Sequence, residues 1–257
     1  MSILGAVNFP PIGEVLNWKP FFLGGSALAF NKVTLTAVLA TAITFLLFYA
    51  AGKKKALVPT GVQNVVEAGV DFITNSIVLD IMGPDGLVWL PYLCGLFFFI
   101  LINNLFEVVP VFQMPSTARM GVTLPLAITV WVTFIVVGIK KQGFASYFKH
   151  SVVPSGVPGA LLILLVPLEL LSTLLVRPFA LAIRLFVNML AGHLLLITFA
   201  ALSEAMFAKS ISLVLLPLPF AMLTVLTGYE IFVSALQAFI FTILTAVYIG
   251  ESMAGSH

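Results

Sequence analysis

The sequence predicts an all-α integral membrane protein with about five membrane helices and one further helix in the interface. Of its 257 residues, 61% are hydrophobic and 9% are charged, whereas a soluble domain has about 25% charged residues. The apolar residues form long continuous runs, which favours helices over the short alternating strands of an outer-membrane barrel. No long linker or internal repeat divides the chain, so we expect one transmembrane domain over residues 1–257.

The first half of the chain contains three segments that suit single spans, at 33–52, 88–109 and 123–139. Each is close to the roughly 20 apolar residues that cross a bilayer. The first span ends at lysines 53–55 and the third ends at lysines 140–141. Between the first two spans, residues 59–79 place valines on one helical face and acidic and amide residues on the other. This pattern predicts an amphipathic helix that lies in the interface.

Two apolar stretches of more than 40 residues each, 158–203 and 208–250, make up the final half of the chain. A straight helix of that length extends about 60 Å, roughly twice the hydrocarbon thickness of a bilayer. Each stretch therefore forms either two spans joined by a tight turn or one long, steeply tilted helix. Pro178, Pro217 and Pro219 are candidate turns, but membrane helices also tolerate proline. Hydropathy leaves both arrangements open.

The distribution of basic residues predicts the orientation, because cytoplasmic loops carry an excess of lysine and arginine. If each long stretch crosses once, lysines 53–55 and 140–141 and Lys149 fall on one side, which we assign to the cytoplasm. The N-terminus is then outside and the C-terminus is cytoplasmic, with Lys19 and Lys32 on the outer side. The first residues lack a basic segment followed by an apolar core, so no cleavable signal or transit peptide is expected.

Arg184 lies inside the apolar run 177–199, with more than a helical turn of apolar residues on both sides. Arginine stays protonated in proteins, and a cation at membrane depth costs about 2.5–3.5 kcal/mol on insertion scales. At about 100° per residue, its helical face also carries small and polar residues: Thr173, Arg177, Ala180, Asn188 and Ala191. We predict a contact face for a partner, with a fixed positive charge at its middle. The alternative is a packing seam in which Arg184 forms an internal ion pair.

Other titratable residues lie in apolar stretches, where an ionised group must be paired or hydrated. Glu230 shares a helical face with three polar residues: Ser234, Gln237 and Thr245. We favour a functional role for Glu230. His193 is on the face opposite Arg184, and its imidazole suits either a proton relay or a hydrogen-bonded packing role. Glu169 is equally open between function and structure, and Glu107 closes the second span and is expected at an outer mouth.

The chain lacks the sequence patterns of soluble enzymes and of metal sites. It has no H-E-x-x-H, phosphate-binding loop or G-x-S-x-G segment, and its three histidines are not at metal spacing. We therefore expect no catalytic site of its own, no metal and no cofactor. The net charge of +2 argues against nucleic acid as a partner, and the single Cys94 excludes a disulfide within the chain.

Two C-terminal motifs, RLFVNMLAGH at 184–193 and LQAFIFTILTAVYI at 236–249, resemble the a subunit of F-type ATP synthases. That family combines an R-L-F-x-N-M-x-A-G segment with a late L-Q-A-F-I-F-x-x-L-T segment, and both occur here in that order. Segment 104–110 and Arg177 with its following proline also resemble family segments, so the similarity covers about residues 35–250. The resemblance implies two long, tilted C-terminal helices that form a hairpin against a rotor ring.

The resemblance also implies a function, that of the stator subunit of the membrane sector of a rotary ATP synthase. Two offset half-channels would carry protons to and from the carboxylates of the ring. Six residues are implied in proton translocation: Arg184, Asn188, His193, Glu230, Gln237 and Glu169. Arg184 would separate the half-channels, Glu230 and His193 would lie on the path from outside, and Glu169 would lie near the cytoplasmic exit. Four further residues are candidates for a channel mouth or polar lining: Asn104, Glu107, Ser234 and Arg177.

The partners implied by the resemblance are a ring of c subunits, b-type peripheral stalk subunits, the rest of the ATP synthase and the lipid of a bacterial plasma membrane. The sequence departs from the family pattern at Val187, Glu107 and Arg119, and the last of these replaces an acid in the outer loop. Two other functions fit the composition, a proton-coupled secondary transporter and a non-transporting assembly scaffold. The transporter would show internal repeats, which the sequence lacks. The sequence does not decide whether the ion is a proton or sodium, how large the ring is, or whether the complex works in synthesis or in hydrolysis.

Overall fold

The computed structural model describes residues 31–53, 58–109, 112, 114–144, 146–147, 159–207 and 217–254. The regular elements in these ranges are all helical, and five of them are long and apolar enough to cross a membrane. The predicted all-α membrane fold with about five spans is therefore confirmed. The predictions for the N-terminal segment and for Lys54, Lys55 and Lys149 concern residues outside the described ranges.

The first span, α1, runs Lys32–Lys53, in agreement with the predicted 33–52. It is followed by the amphipathic helix α2, Val62–Ile73, which continues as a π-helical segment, Thr74–Met82. Helix α2 packs against α1 and against the next span. A Cβ atom on Gly69 of α2 would overlap the ring of Phe98, so glycine is required for this close approach. On its free surface α2 exposes both acidic residues and valines, as a helix in an interface does.

The second span is Pro84–Leu105 when its leading 3-10 turn is included, so it begins and ends earlier than the predicted 88–109. A 3-10 turn, Pro84–Trp89, leads into α3, Leu90–Leu105, and turns follow the helix. Near the end of the helix, the side-chain amides of Asn103 and Asn104 form hydrogen bonds with the following loop. Asn103 Nδ2 donates to Ser116 Oγ at 2.6 Å, and Thr117 Oγ1 donates to Asn104 Oδ1 at 2.7 Å. The third span, α4, runs Met120–Gln142 and contains the predicted 123–139.

Each long C-terminal stretch is helical without reversal in the described residues. Helix α5, Gly159–Leu171, passes through a π turn, Ser172–Val176, into α6, Arg177–Phe207. Helix α7 is Pro217–Ala254 and packs along α6. The structure thus decides for one long helix per stretch and against turns at Pro178 and Pro219, which lie within helices.

The core lies where α3, α4, α6 and α7 meet. Its fully buried side chains come from all four helices and include Leu93, Ile100, Phe134, Leu185, Met189 and Ile249. Helix α7 contacts α3, α4 and α6, and is therefore the central element of the packing. This arrangement brings the polar residues of α6 and α7 together with the C-terminal end of α3.

Candidate ion-translocation site

Arg184 is exposed on the outer surface of α6. It forms no hydrogen bond or ion pair with any other described residue. Its neighbours on this surface are exposed apolar or small residues: Ala180, Ile183, Val187 and Ala191. Among the described residues, no internal acid neutralises Arg184, so the packing-seam alternative lacks the ion pair that it requires.

The polar stripe predicted around Arg184 is only partly correct. Ala180, Ala191 and the half-buried Asn188 lie beside it, but Thr173 is buried and Arg177 pairs with acids of the chain. Thr173 departs because it lies inside the π turn Ser172–Val176, whereas Arg177 begins α6 on the same helical face as Arg184 and differs in its acidic neighbours. A π turn adds a residue to the helical turn, so the 100° rule loses its phase across it.

Glu230 of α7 is buried against the backbone of α6. Its side chain is 1% exposed, and a Cβ atom on Gly192 would overlap its carboxyl group. Atom Oε2 of Glu230 has no hydrogen-bond partner among the described residues, and neither does the buried Ser234 Oγ one turn further on. The carboxyl group also lies close enough to Glu107 for the two charges to interact. Two buried carboxyl groups therefore share one region of the interior.

Glu107 lines a cavity of about 430 Å³, and Glu230 contacts Gly192, the residue before His193 in the same lining. The lining of the cavity combines apolar residues of α6 and α7 with three titratable side chains: Glu107, His193 and Glu204. Both carboxyl oxygens of Glu107 are buried without a hydrogen-bond partner in the described structure. A cavity of this size with several polar groups has room for water molecules. The structure thus joins three of the predicted residues, Glu107, His193 and Glu230, at one place.

A second charged cluster lies at the other end of the α6–α7 pair. Arg177 Nη1 is 2.8 Å from Glu251 Oε2, and Arg177 Nη2 is 3.6 Å from Glu169 Oε1. The guanidinium carbon also lies 5.1 Å from the centre of the Tyr248 ring, at cation–π distance. Arg177 and Glu169, two predicted site residues, are therefore neighbours. These groups are partly exposed, so the ion pairs contribute little to stability.

Along α6, the two clusters lie on opposite sides of Arg184. At about 1.5 Å per residue, Arg177 is about 10 Å before Arg184 and His193 about 13 Å beyond it. Asn188 is half-buried one turn from Arg184, and Gln237 is buried on α7. Each lies between the residues that its own helix contributes to the two clusters. The site is therefore a central cation, unpaired within the described part of the chain, between two separated groups of acids.

Asn104 has a structural contact in addition to its predicted polar role. With Asn103 it holds the 3-10 turn Ser116–Ala118 against the end of α3. Arg119 follows this turn, and burial lowers the pKa of its guanidinium group. Two adjacent amide side chains thus fix the position of this loop at the end of α3.

Three residues of the site were not predicted from the sequence. Gly192 makes room for the Glu230 carboxyl, Glu251 binds Arg177, and Glu204 lines the cavity. No group of three metal-ligating side chains occurs in the described ranges.

Comparison with known proteins identifies the family. The family model described as ATP synthase A chain matches residues 33–250. The chain belongs to this family. It is 40% identical to the ATP synthase subunit a of Frankia alni over 94% of the chain and 84% of that protein. The corresponding protein of Nocardioides sp. is also 40% identical, over 97% of the chain and 91% of the relative. That of Streptomyces lividans is 38% identical, over 90% and 83%.

Membership of the ATP synthase A chain family confirms the resemblance based on the two C-terminal motifs. The matched region contains three of the five spans completely, all but the first residue of the first span and all but the last four residues of the fifth, and every residue named in the site except Glu251. The five apolar helices and the family together make the chain a multi-pass membrane protein.

Proposed function

We propose that this chain is the stator subunit of the membrane sector of a rotary ATP synthase. It would provide two offset half-channels that carry protons to and from the carboxylates of a c ring, with Arg184 between them. It has no catalytic site of its own in this proposal. Its other partners are b-type peripheral stalk subunits and the rest of the complex, in a bacterial plasma membrane with the C-terminus in the cytoplasm.

The observation that carries the proposal is the exposed Arg184 with no acidic partner among the described residues, between two clusters of acids. A protein would leave a cation uncompensated at membrane depth only at high cost, so the partner must supply the negative charge. A ring carboxylate supplies it. The face around Arg184 is made of small and apolar residues, which let another helix approach closely.

The acids on the two sides of Arg184 form the two proton paths of the proposal. The cavity lined by Glu107 and His193, with Glu230 behind it, takes protons up from the outer side. The cluster of Glu169, Arg177 and Glu251 lies at the exit side. Glu169 and Glu251 accept protons there, and Arg177 holds both carboxylates in position.

Proton release from the ring in this proposal follows from the charge at Arg184. A ring carboxylate faces lipid only in its protonated form, because exposing the ion to hydrocarbon is too costly. Beside Arg184 the ionised form is favoured, so the proton leaves. Arginine does not release its own proton, so it also blocks a direct leak between the paths. Each proton that crosses about 100 mV supplies about 2.3 kcal/mol.

The variant Arg184→Ala tests the central assignment. We expect it to abolish ATP-driven acidification of inverted membrane vesicles, measured with a pH-sensitive dye, because the ring carboxylate then keeps its proton. Val187→Ala is the matched control, since Val187 is exposed on the same face and uncharged. The control should pump at the wild-type rate. Wild-type acidification by Arg184→Ala would refute the proposal.

The variant Glu230→Gln tests the uptake path separately. The amide keeps the shape of the side chain but cannot carry a proton, so we expect acidification to slow by about 10²-fold or more, the usual contribution of a positioned acid–base group. Ser234→Ala, one turn away, should have a smaller effect. Equal rates for Glu230→Gln and the wild type would remove Glu230 from the path.

A further inference from the structure

A groove on the surface has neither Arg184 nor any residue of the two acid clusters in its lining. It is formed where the 3-10 turn Pro84–Trp89 meets the last turns of α4, with Met253 of α7 at its edge. Its volume is about 820 Å³, within the usual range for sites that bind organic ligands. No proposed step of ion translocation uses it.

The walls of the groove are apolar and accessible. Val88, Val132 and Val136 line it and are 81%, 45% and 41% exposed. In a span of a multi-pass membrane protein, such a surface meets either hydrocarbon or a neighbouring helix, and an acyl chain is an occupant that matches its apolar walls. Trp89 also lines it, and tryptophan favours the level of the lipid headgroups.

The mouth of the groove carries two lysines, Lys140 and Lys141, in the last turn of α4. Both are exposed, and neither forms an ion pair with a described residue. Asp85 is the one acid among the lining residues, so the mouth has a positive balance. Basic pockets between membrane helices bind anionic lipid headgroups.

We propose that this groove binds one anionic phospholipid, with its phosphate on Lys140 and Lys141 and an acyl chain along Val132 and Val136. Asp85 would accept a hydrogen bond from a headgroup hydroxyl, which suits a glycerol headgroup. A second groove on the structure, between α1, α3 and α4, is lined by Thr41, Phe45 and Phe99 among others and has no charged residue. It therefore offers no comparable selection for an anionic lipid.

The test is a titration of the purified complex in detergent with phosphatidylglycerol, with bound lipid counted by native mass spectrometry. We expect Lys140→Gln with Lys141→Gln to weaken binding about 30-fold, from the contribution of two lysines near an anionic headgroup. Lys53→Gln is the matched control, because Lys53 also ends a span but does not line the groove. It should bind as the wild type does.

Two further variants separate lipid binding from folding. Lys140→Arg with Lys141→Arg keeps both charges and should retain the bound lipid, whereas Val136→Trp fills the groove and should lose it. Equal binding by the neutralised pair and the wild type would overturn the proposal. Equal competition by phosphatidylcholine would also overturn it, as would a protein helix in the groove of the assembled complex.

Discussion

Single residues determine how closely α6 and α7 approach. Gly192 lies under the Glu230 carboxyl, and any side chain there would overlap it. Single residues also determine the charge environment of the two arginines on α6. Arg177 is neutralised by Glu251 at 2.8 Å, whereas Arg184, seven residues further along, has no acidic partner among the described residues. Two arginines on one helix therefore have different charge environments because their neighbours on other helices differ.

Gly192→Ala should disturb the Glu230 carboxyl without removing any titratable group. Overpacking of this kind costs about 1–3 kcal/mol, so we expect proton pumping to fall about tenfold or more, measured as ATP-driven acidification of vesicles. Gly95→Ala is the control, since a Cβ atom there meets nothing within 4 Å. Partial recovery of pumping by the double variant Gly192→Ala with Glu230→Asp would show that the loss comes from steric overlap between the added methyl group and the Glu230 carboxyl group. Normal pumping by Gly192→Ala would contradict the prediction.

At the scale of elements, the π turn Ser172–Val176 decides which residues of the long helix face the core. It lies just before Pro178, whose ring nitrogen has no N–H to donate, and widened turns accommodate such an interruption. One carbonyl of the turn, that of Thr173, accepts a hydrogen bond from Trp131 Nε1 of α4 at 3.1 Å. Helix α4 therefore stabilises the irregular turn from outside.

Trp131→Phe should destabilise this turn locally. The ring is kept but the N–H donor is lost, which costs about 1 kcal/mol for a neutral hydrogen bond. We expect faster hydrogen–deuterium exchange in peptides that cover residues 172–177. Trp89→Phe is the control, because Trp89 lies in the 3-10 turn before α3 and should not affect those peptides. Unchanged exchange in Trp131→Phe would show that α4 does not hold the turn.

At the scale of the whole molecule, the two acid clusters are separated along one helix pair and differ in their surroundings. The cluster of Glu107 and Glu230 adjoins a cavity, whereas that of Arg177 is partly exposed at the end of α7. The lysines that end α1 and α4 should lie at the end opposite the cavity, on the cytoplasmic side by the positive-inside rule. A topology with five spans thus predicts access to the clusters from opposite sides.

Cysteine accessibility in the assembled complex tests this topology. In a Cys94→Ser background, Thr227→Cys in the cavity should react with a membrane-impermeant maleimide added from the outer side. Lys141→Cys should react from the cytoplasmic side, and Ala238→Cys, which is fully buried, should not react. Reaction of Thr227→Cys and Lys141→Cys from the same side would refute the predicted orientation.

The sequence by itself determined the membrane class and the approximate positions of the first three spans, and it marked Arg184 as the leading candidate residue. These follow from hydropathy and from the cost of a buried cation, which are properties of local sequence. It also determined the family, through the motifs at 184–193 and 236–249.

Only the tertiary structure decided the partners of Arg177, the place of Gly192 against Glu230, the cavity beside Glu107, and the choice of one long helix over two short ones. These features depend on contacts between helices that are distant in the chain. The helical phase of the long stretch also depends on the π turn Ser172–Val176. Periodicity within one helix carries no information about which neighbour packs against it, so these features required the packed arrangement of α3, α4, α6 and α7.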